Sequence, residues 1–456
     1  MDLKYVQAGL QGDGTGPVEI VDNWLLRLGP PRLAERILKR ECDIAVIKGD
    51  SSCIEESVAL GGALRQGGLV TIAVGQQVAH AANRRPPEWD AAFDISVLGE
   101  PEEEVPAVVE RIRKEAQSAQ APARHPEGLE SRDFVHVRDP EALPLPKCSR
   151  QDFARYPFPF PVRGPVVRNW GYVQTSWGCP HSASCRFCSD VLRKSTGTRL
   201  RLRDPAGVAE EIESILAAGA DAICFEDNSL FSHKKHLTAL CDELRRRGLK
   251  FSWVASARAD ELDEENTAAA AETGAVLLKI GIESGSPRVI ELLGKAESGE
   301  DWLNDVRSAH RNLEKRNIGA VDLVMIGCPD ESEEEVGMTL RLLHELNPDY
   351  VQIQIFSPYA DTIFYAQLGP EEKRNYPSDG ELYHYTAPRR SPSRIDAARL
   401  PKLQNKMYRR FYLRREYILK HVRLFWRFYL DPLTGLRALR CVGRTVAGLL
   451  LPGGGR

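Results

Sequence analysis

Between residues 170 and 356 the chain alternates six short apolar runs with helix-like stretches, and this alternation limits the fold more than any other feature. The runs are GYVQT, DAICFEDNSLF, FSWVASARAD, AVLLKIGIESGS, GAVDLVMIGCPDES and YVQIQIFSPY. Between them lie DPAGVAEEIESILAAG, KKHLTALCDELRRRG, an acidic stretch from about Glu261, WLNDVRSAHRNLEKRN and one more helix. Strand and helix alternating at this interval predict a partial, TIM-type (β/α)6 parallel barrel, in which reactive groups gather at the carboxyl ends of the strands. Those ends collect polar residues: Glu226, Asp227 and Asn228 after the second run, Ser256 and Arg258 after the third, and Glu283 and Ser284 after the fourth. The fifth gives Gly327, Pro329, Asp330 and Glu331. An acid just after a strand is most often a helix cap. Its repetition from strand to strand is what points to a site.

The loop after the first run reads TSWGCPHSASCRFCSD and places Cys179, Cys185 and Cys188 within ten residues, with Phe187 beside the last. Thiolates so grouped select soft metals, zinc or an iron-sulfur cluster. With three ligands a cluster keeps one iron open for chemistry. Three other readings stand beside it: a zinc knuckle with His181 as fourth ligand, a disulfide pair, and cysteines that are merely buried. The zinc reading makes the chain a non-catalytic binding protein.

Residues 1–120 carry a second, shorter alternation. LKYVQAGL, CDIAVIKG, GLVTIAVG and FDISVLGE read as strands, and PRLAERILKR, CIEESVALGGALRQ and PEEEVPAVVERIRKEAQ as helices, so a small open parallel, Rossmann-like sheet is expected. Such sheets bind ligands at the strand carboxyl ends, here Gly49, Asp50, Gly75, Gln76, Gly99 and Glu100. A proline-rich linker follows over residues 121–165, holding Cys148 as a bystander; the barrel spans 166–360, and a basic, aromatic helical region occupies 361–456. The tail is expected to pack over the barrel mouth, with a membrane-surface helix as the other reading of MYRRFYLRREYILKHVRLFWRFYL. LPGGGR is expected to be disordered.

Composition narrows the class. A net charge of −3 with interspersed signs gives no reason to expect nucleic acid. The start, MDLKYVQAGLQGDG, lacks the features of a signal peptide, and no apolar run reaches the ~18 residues of a membrane span. Ten cysteines, seven of them scattered outside the loop, suit a reducing cytoplasm.

The S-x-G-C-P opening and C-x-F-C-S close of the cysteine loop resemble the cluster loop of the radical S-adenosylmethionine (SAM) superfamily. The superfamily spacing is three residues and then two; here it is five and then two. The resemblance implies that Cys179, Cys185 and Cys188 bind a [4Fe-4S] cluster whose open iron takes the amino and carboxylate groups of SAM. It implies further that Phe187, Glu226, Asp227, Asn228, Ser256, Arg258, Glu283, Ser284, Gly327 and Pro329 contact these cofactors. VTIAVGQQVAH and ISVLGEPEEE resemble the cobalamin-binding domain of one branch of that superfamily, which implies cobalamin near Gly75, Gly99 and Glu100. The branch's Asp-x-His-x-x-Gly signature is absent, so no histidine is offered to cobalt. The implied activity is reductive cleavage of SAM to a 5'-deoxyadenosyl radical, fed by a donor such as flavodoxin or ferredoxin. Methylation of an unactivated carbon in a small molecule or peptide is the implied outcome, with radical cyclisation or rearrangement as the rival.

Overall fold

The computed structural model describes the chain apart from residues 1, 13–16, 50–52, 76, 79–85, 119–134, 150–152, 154–160, 182–183, 189–196, 198, 358–361, 368, 371–390, 433–434 and 436–456. Asp50, Gln76, most of the proline-rich linker and the final LPGGGR therefore lie outside the described residues.

The first unit begins with helices α1 (Asp2–Gly12) and α2 (Pro30–Leu38), followed by β1 (Ile44–Lys48), α3 (Ile54–Gln66), β2 (Val70–Val74), β3 (Ile95–Ser96) and α4 (Pro101–Ser118). Its parallel sheet runs in the order β1-β2-β3 and is buried on both faces. Leu33, Ile54, Leu60 and Leu64 cover one side, and Val6, Leu10, Val105 and Val109 the other. The expected rim of glycines is present, with Gly75 and Gly99 in left-handed conformations at φ 87 and 100. One expected strand is a helix: LKYVQAGL forms α1. Leu3, Val6 and Leu10 are spaced three and four apart, so they share a helical face against α4, whereas a strand would point Leu3 and Val6 in opposite directions.

The second unit contains β4 (Trp170–Val173), β5 (Ser176–Trp177), β6 (Arg201–Leu202), α5 (Pro205–Ala217), β7 (Ala222–Phe225), α6 (Lys234–Arg246), β8 (Ser252–Ala257) and α7 (Glu264–Glu272). It continues with β9 (Ala275–Glu283), α8 (Pro287–Leu293), α9 (Gly299–Lys315), β10 (Gly319–Ile326), α10 (Glu333–Leu346) and β11 (Tyr350–Ile355). Six strands form one parallel sheet in the order β4-β7-β8-β9-β10-β11, the open barrel expected from the alternation. Outward residues such as Phe225, Trp253, Leu278, Ile280 and Val324 join the large core under the helices. Inward residues Trp170, Ala222, Val254 and Leu277 meet Val162 and Val167 and close the barrel floor. Arg163 staples that floor to Asp349 with two hydrogen bonds of 2.7 and 2.8 Å.

An open barrel leaves edge strands with unpaired backbone groups. The β11 edge is covered by α11 (Leu400–Tyr412), after which the basic tail breaks at Leu413 and resumes as α12 (Arg415–Leu430). The Tyr408 hydroxyl accepts from the Ile353 amide at 2.9 Å and that of Tyr412 from the Val351 amide at 3.0 Å; each donates to the same residue's carbonyl. Tyrosines four apart on a helix match the two-residue step of an edge strand. The Gln404 amide also donates to the Ile353 carbonyl, at 2.7 Å. Among the described residues no helix is long and apolar enough to cross a membrane.

The two units meet at the antiparallel ribbon β5–β6. Arg201 donates to Glu100 at 2.6 and 2.8 Å, the buried Arg203 pairs with Glu211, and the Tyr5 hydroxyl donates to Glu211 at 3.1 Å. Tyr5, Val137, Leu143 and Trp177 fill the seam.

Candidate functional site

The same ribbon carries the cysteine loop, whose ends leave from β5 and return at β6. Gly178, at φ 93, lies so near the Arg199 carbonyl that no side chain fits between them. The Cys179 amide donates to the Gly197 carbonyl at 3.2 Å, that of Cys185 to His181 at 3.3 Å, and that of Cys188 to Cys185 at 3.2 Å. Arg186 donates its amide to the Leu293 carbonyl at 2.9 Å, where α8 ends at the left-handed Gly294. The loop is thus anchored at both ends and in the middle to the strand ends of the barrel.

Glu261 ties it from another side. Its carboxylate sits 3.0 Å from His181 Nε2, accepts from the Arg258 amide at 3.1 Å, and takes the Ser229 hydroxyl. His181, the fourth ligand a zinc knuckle needs, is directed at this acid. Among the described residues no three of His, Cys, Asp and Glu lie close enough to share a single metal ion. A polynuclear cluster places its thiolates on separate metal atoms and so holds them further apart, which fits this donor set better than mononuclear zinc.

Two cations flank the cysteines. Arg258 Nη1 lies 3.9 Å from Cys185 Sγ, and the guanidinium stacks 5.0 Å above Trp302. Lys295 Nζ lies 5.1 Å from Trp302, 6.0 Å from the Phe187 ring, and 2.9 Å from Glu283. Burial pushes the Cys179 thiol up, while the His181 backbone and the Arg258 charge pull it down. Thiolate ligands at this loop are favoured by the Arg258 charge.

The remaining strand-end residues divide by contact. Asp227 is fully enclosed and accepts from the Thr175 amide and hydroxyl at 3.2 and 2.8 Å and from Ser176 at 2.5 Å, so it fastens the end of β7 to the start of β5. Asn228 donates to the Gly178 carbonyl at 3.1 Å and so holds the base of the cysteine loop. Ser284 is buried 3.3 Å from Thr339, and Gly327 donates to Glu331 at 2.6 Å. Asp330 turns away to Arg394 at 2.7 Å. Glu226 and Ser256 stand on the inward face of the sheet, as Glu283 does near its rim. On the small sheet Glu100 is occupied by Arg201 and by the Val137 amide at 2.5 Å, so it joins the two units and does not project from the rim. Gly75 remains on the rim beside Gln77, whose amide donates to Ile47 at 2.8 Å and whose buried Oε1 has no partner among the described residues. Gly99 makes a bridge to Val135 that a side chain would block.

Glu261, Trp302, Lys295, Tyr172 and Lys279 escaped the sequence reading. Glu261 looks like an ordinary helix-start acid, and Trp302 like core. Tyr172 and Lys279 carried a usable signal: each interrupts an otherwise apolar strand at an inward position.

The model of the Radical SAM superfamily matches residues 173–343. An uncharacterized methyltransferase of Pyrococcus horikoshii is 31% identical over 255 residues, 56% of this chain and 53% of that protein. The anaerobic magnesium-protoporphyrin IX monomethyl ester cyclase of Rubrivivax gelatinosus is 24% identical over 53% of this chain and 42% of its own. The chain thus spans about half the length of the curated relatives it matches. Among solved structures, the radical SAM methyltransferase TsrM of Kitasatospora setae, with cobalamin and a [4Fe-4S] cluster bound, superposes with a TM-score of 0.60 at 16% identity, over 79% of this chain and 73% of that one. The cobalamin-dependent SAM radical enzyme OxsB, with aqua-cobalamin and SAM bound, gives a TM-score of 0.63 at 13% identity, over 98% of this chain and 68% of its own. The fold is therefore that of these enzymes from the small sheet onward, and residues 173–343 are similar to the Radical SAM superfamily model.

Proposed function

We propose that the chain is a radical SAM enzyme and that Cys179, Cys185 and Cys188 hold its [4Fe-4S] cluster. The observation that carries this is one loop bearing three cysteines, fastened to the barrel mouth by Glu261, Asn228 and Leu293, inside a matched radical SAM core. When bound, the cluster supplies the electron that cleaves SAM to a 5'-deoxyadenosyl radical. The protein's own residues position and screen. Arg258 places positive charge beside Cys185, Trp302 stacks on that guanidinium, Lys295 spans Trp302 and the Phe187 ring, and Glu283 at the rim of β9 offers a carboxylate toward the ammonium or ribose hydroxyls of SAM.

For the small sheet the proposed ligand is cobalamin. The rim fits in two respects: Gly75 gives close backbone access, and the buried Gln77 Oε1 has no donor among the described residues, a place that a corrin side-chain amide would fill. Bound there, cobalamin supplies a methyl group, and methylation of an unactivated carbon in a small molecule or peptide is the proposed outcome; radical chemistry without methyl transfer is the second reading. The proposed setting is the cytoplasm, with a flavodoxin or ferredoxin as electron donor. Anaerobic incubation with SAM, methylcobalamin and reductant tests the proposal: 5'-deoxyadenosine together with S-adenosylhomocysteine supports methylation, and the first without the second supports the other reading.

A further inference from the structure

Above the apolar floor, the inward positions of the core sheet turn polar. Tyr172 follows Trp170, Glu226 follows Cys224, Ser256 follows Val254, Lys279 follows Leu277, and Gln352 and Gln354 occupy the inward face of β11. Register sets their levels. Tyr172 pairs with Cys224 and Cys224 with Val254, so Glu226 stands one inward step higher, level with Ser256, which pairs with Lys279. The Cys224 thiol donates to Glu226 at 3.1 Å, and burial together with Cys224 and Glu226 pushes the Tyr172 hydroxyl up to about 12.

Lys279 is half-buried on this face and makes no ion pair with any described residue. The other enclosed cations of the core do have carboxylates: Lys295 has Glu283, Arg258 has Asp260, Arg163 has Asp349, and Arg203 has Glu211. Glu226 is two strands away from Lys279, about 10 Å between strand axes, and forms no ion pair with it. A half-buried ammonium on the inner face of the barrel, with no carboxylate paired to it among the described residues, leaves its charge available to an anion that enters the barrel. Lys279 also lies four residues before Glu283 on the same strand, about 13 Å deeper in the barrel, beneath the region proposed for SAM.

We propose that Lys279 binds an anionic group of the substrate, a carboxylate or a phosphate, while Ser256 and the Gln352 and Gln354 amides take its neutral polar atoms and Glu226 accepts from its donors. This deepens the radical SAM reading by assigning a substrate class, but the anion site itself stands on the geometry of the sheet.

Two measurements test it. In the first, the reconstituted holoenzyme is reductively methylated and read peptide by peptide, with acetate or inorganic phosphate as the probe. Labelling of Lys279 slows in the presence of either anion, whereas that of Lys402 on α11 does not; equal labelling of Lys279 with and without both anions overturns the proposal. In the second, a deproteinised extract is divided on an anion exchanger and each fraction is assayed for stimulation of 5'-deoxyadenosine formation, as a ratio to each variant's own unstimulated rate. The retained fraction stimulates the wild type, Lys279→Met weakens the response roughly 10- to 100-fold, and Lys279→Arg restores part of it. Sensitivity of that fraction to phosphatase separates a phosphate from a carboxylate. Stimulation by the unretained fraction, or an undiminished response of Lys279→Met, contradicts the proposal. If no protein forms 5'-deoxyadenosine, the radical SAM reading fails and the labelling experiment alone decides the anion site.

Discussion

Glu283 and Lys295 form a buried pair, 2.9 Å apart, at the carboxyl end of β9, and Glu283 makes it from a left-handed backbone at φ 71. A glutamate rarely adopts that conformation, and strain of this kind persists where the surroundings enforce it, which is typical of functional sites. Removing one partner leaves the other charge enclosed. Lys295→Met is expected to lower the unfolding free energy by about 3–5 kcal/mol, and the Glu283→Gln/Lys295→Met pair to cost less than the sum of the single changes. Denaturant titration of the three variants checks this.

Among the described residues Glu261 hydrogen-bonds to the cysteine loop through His181, so its effect is one of positioning. Glu261→Ala is expected to weaken iron retention by about 10- to 100-fold, the usual consequence of losing an outer-shell partner, while the fold persists. Iron content after gel filtration in a chelating buffer, compared with the circular dichroism of the same sample, separates loss of the cluster from loss of structure.

The tyrosines on α11 replace a missing strand. Tyr412→Phe removes the Val351 amide's and carbonyl's partner, and Tyr408→Phe removes that of the Ile353 amide, whose carbonyl keeps Gln404; each change is expected to cost about 1–3 kcal/mol. Hydrogen exchange provides a local test: the Ile353 amide loses protection in the first variant and the Val351 amide in the second.

Glu331 gives a pH signature. Burial pushes its carboxyl up to about 7, against hydrogen bonds from the Cys328 and Gly327 amides. Because the folded state holds this proton more tightly than the unfolded one, the contribution to stability is complete below the ordinary glutamate value of about 4.3 and fades as pH rises toward 7. Glu331→Gln is expected to flatten the fall in unfolding free energy across that window. A wild-type and variant pair with the same slope contradicts the assignment.

Much of the fold was legible in the sequence, because strands buried on both faces must be apolar throughout and their helices must recur at a steady interval. The exception, α1, is short enough that apolar residues three and four apart pass for a strand until α4 is seen beneath them. The polar residues at the strand ends were legible as a group but not by role. Asp227 and Glu226 are adjacent in sequence, yet one fastens the end of β7 to the start of β5 inside the protein while the other faces the barrel interior. Only register separates them. Glu100 was expected at a ligand rim and instead pairs with Arg201, a contact between segments 101 residues apart that no local pattern announces.

The central claim is that three cysteines on one anchored loop hold a cluster that cleaves SAM. Its most direct test is anaerobic reconstitution of the wild type and Cys185→Ala with iron and sulfide, followed by SAM, reductant and quantification of 5'-deoxyadenosine. The account predicts a brown wild-type protein carrying about four irons that forms 5'-deoxyadenosine, and a variant that forms none. A colourless wild type with stoichiometric zinc, or a Cys185→Ala protein that still cleaves SAM, contradicts it.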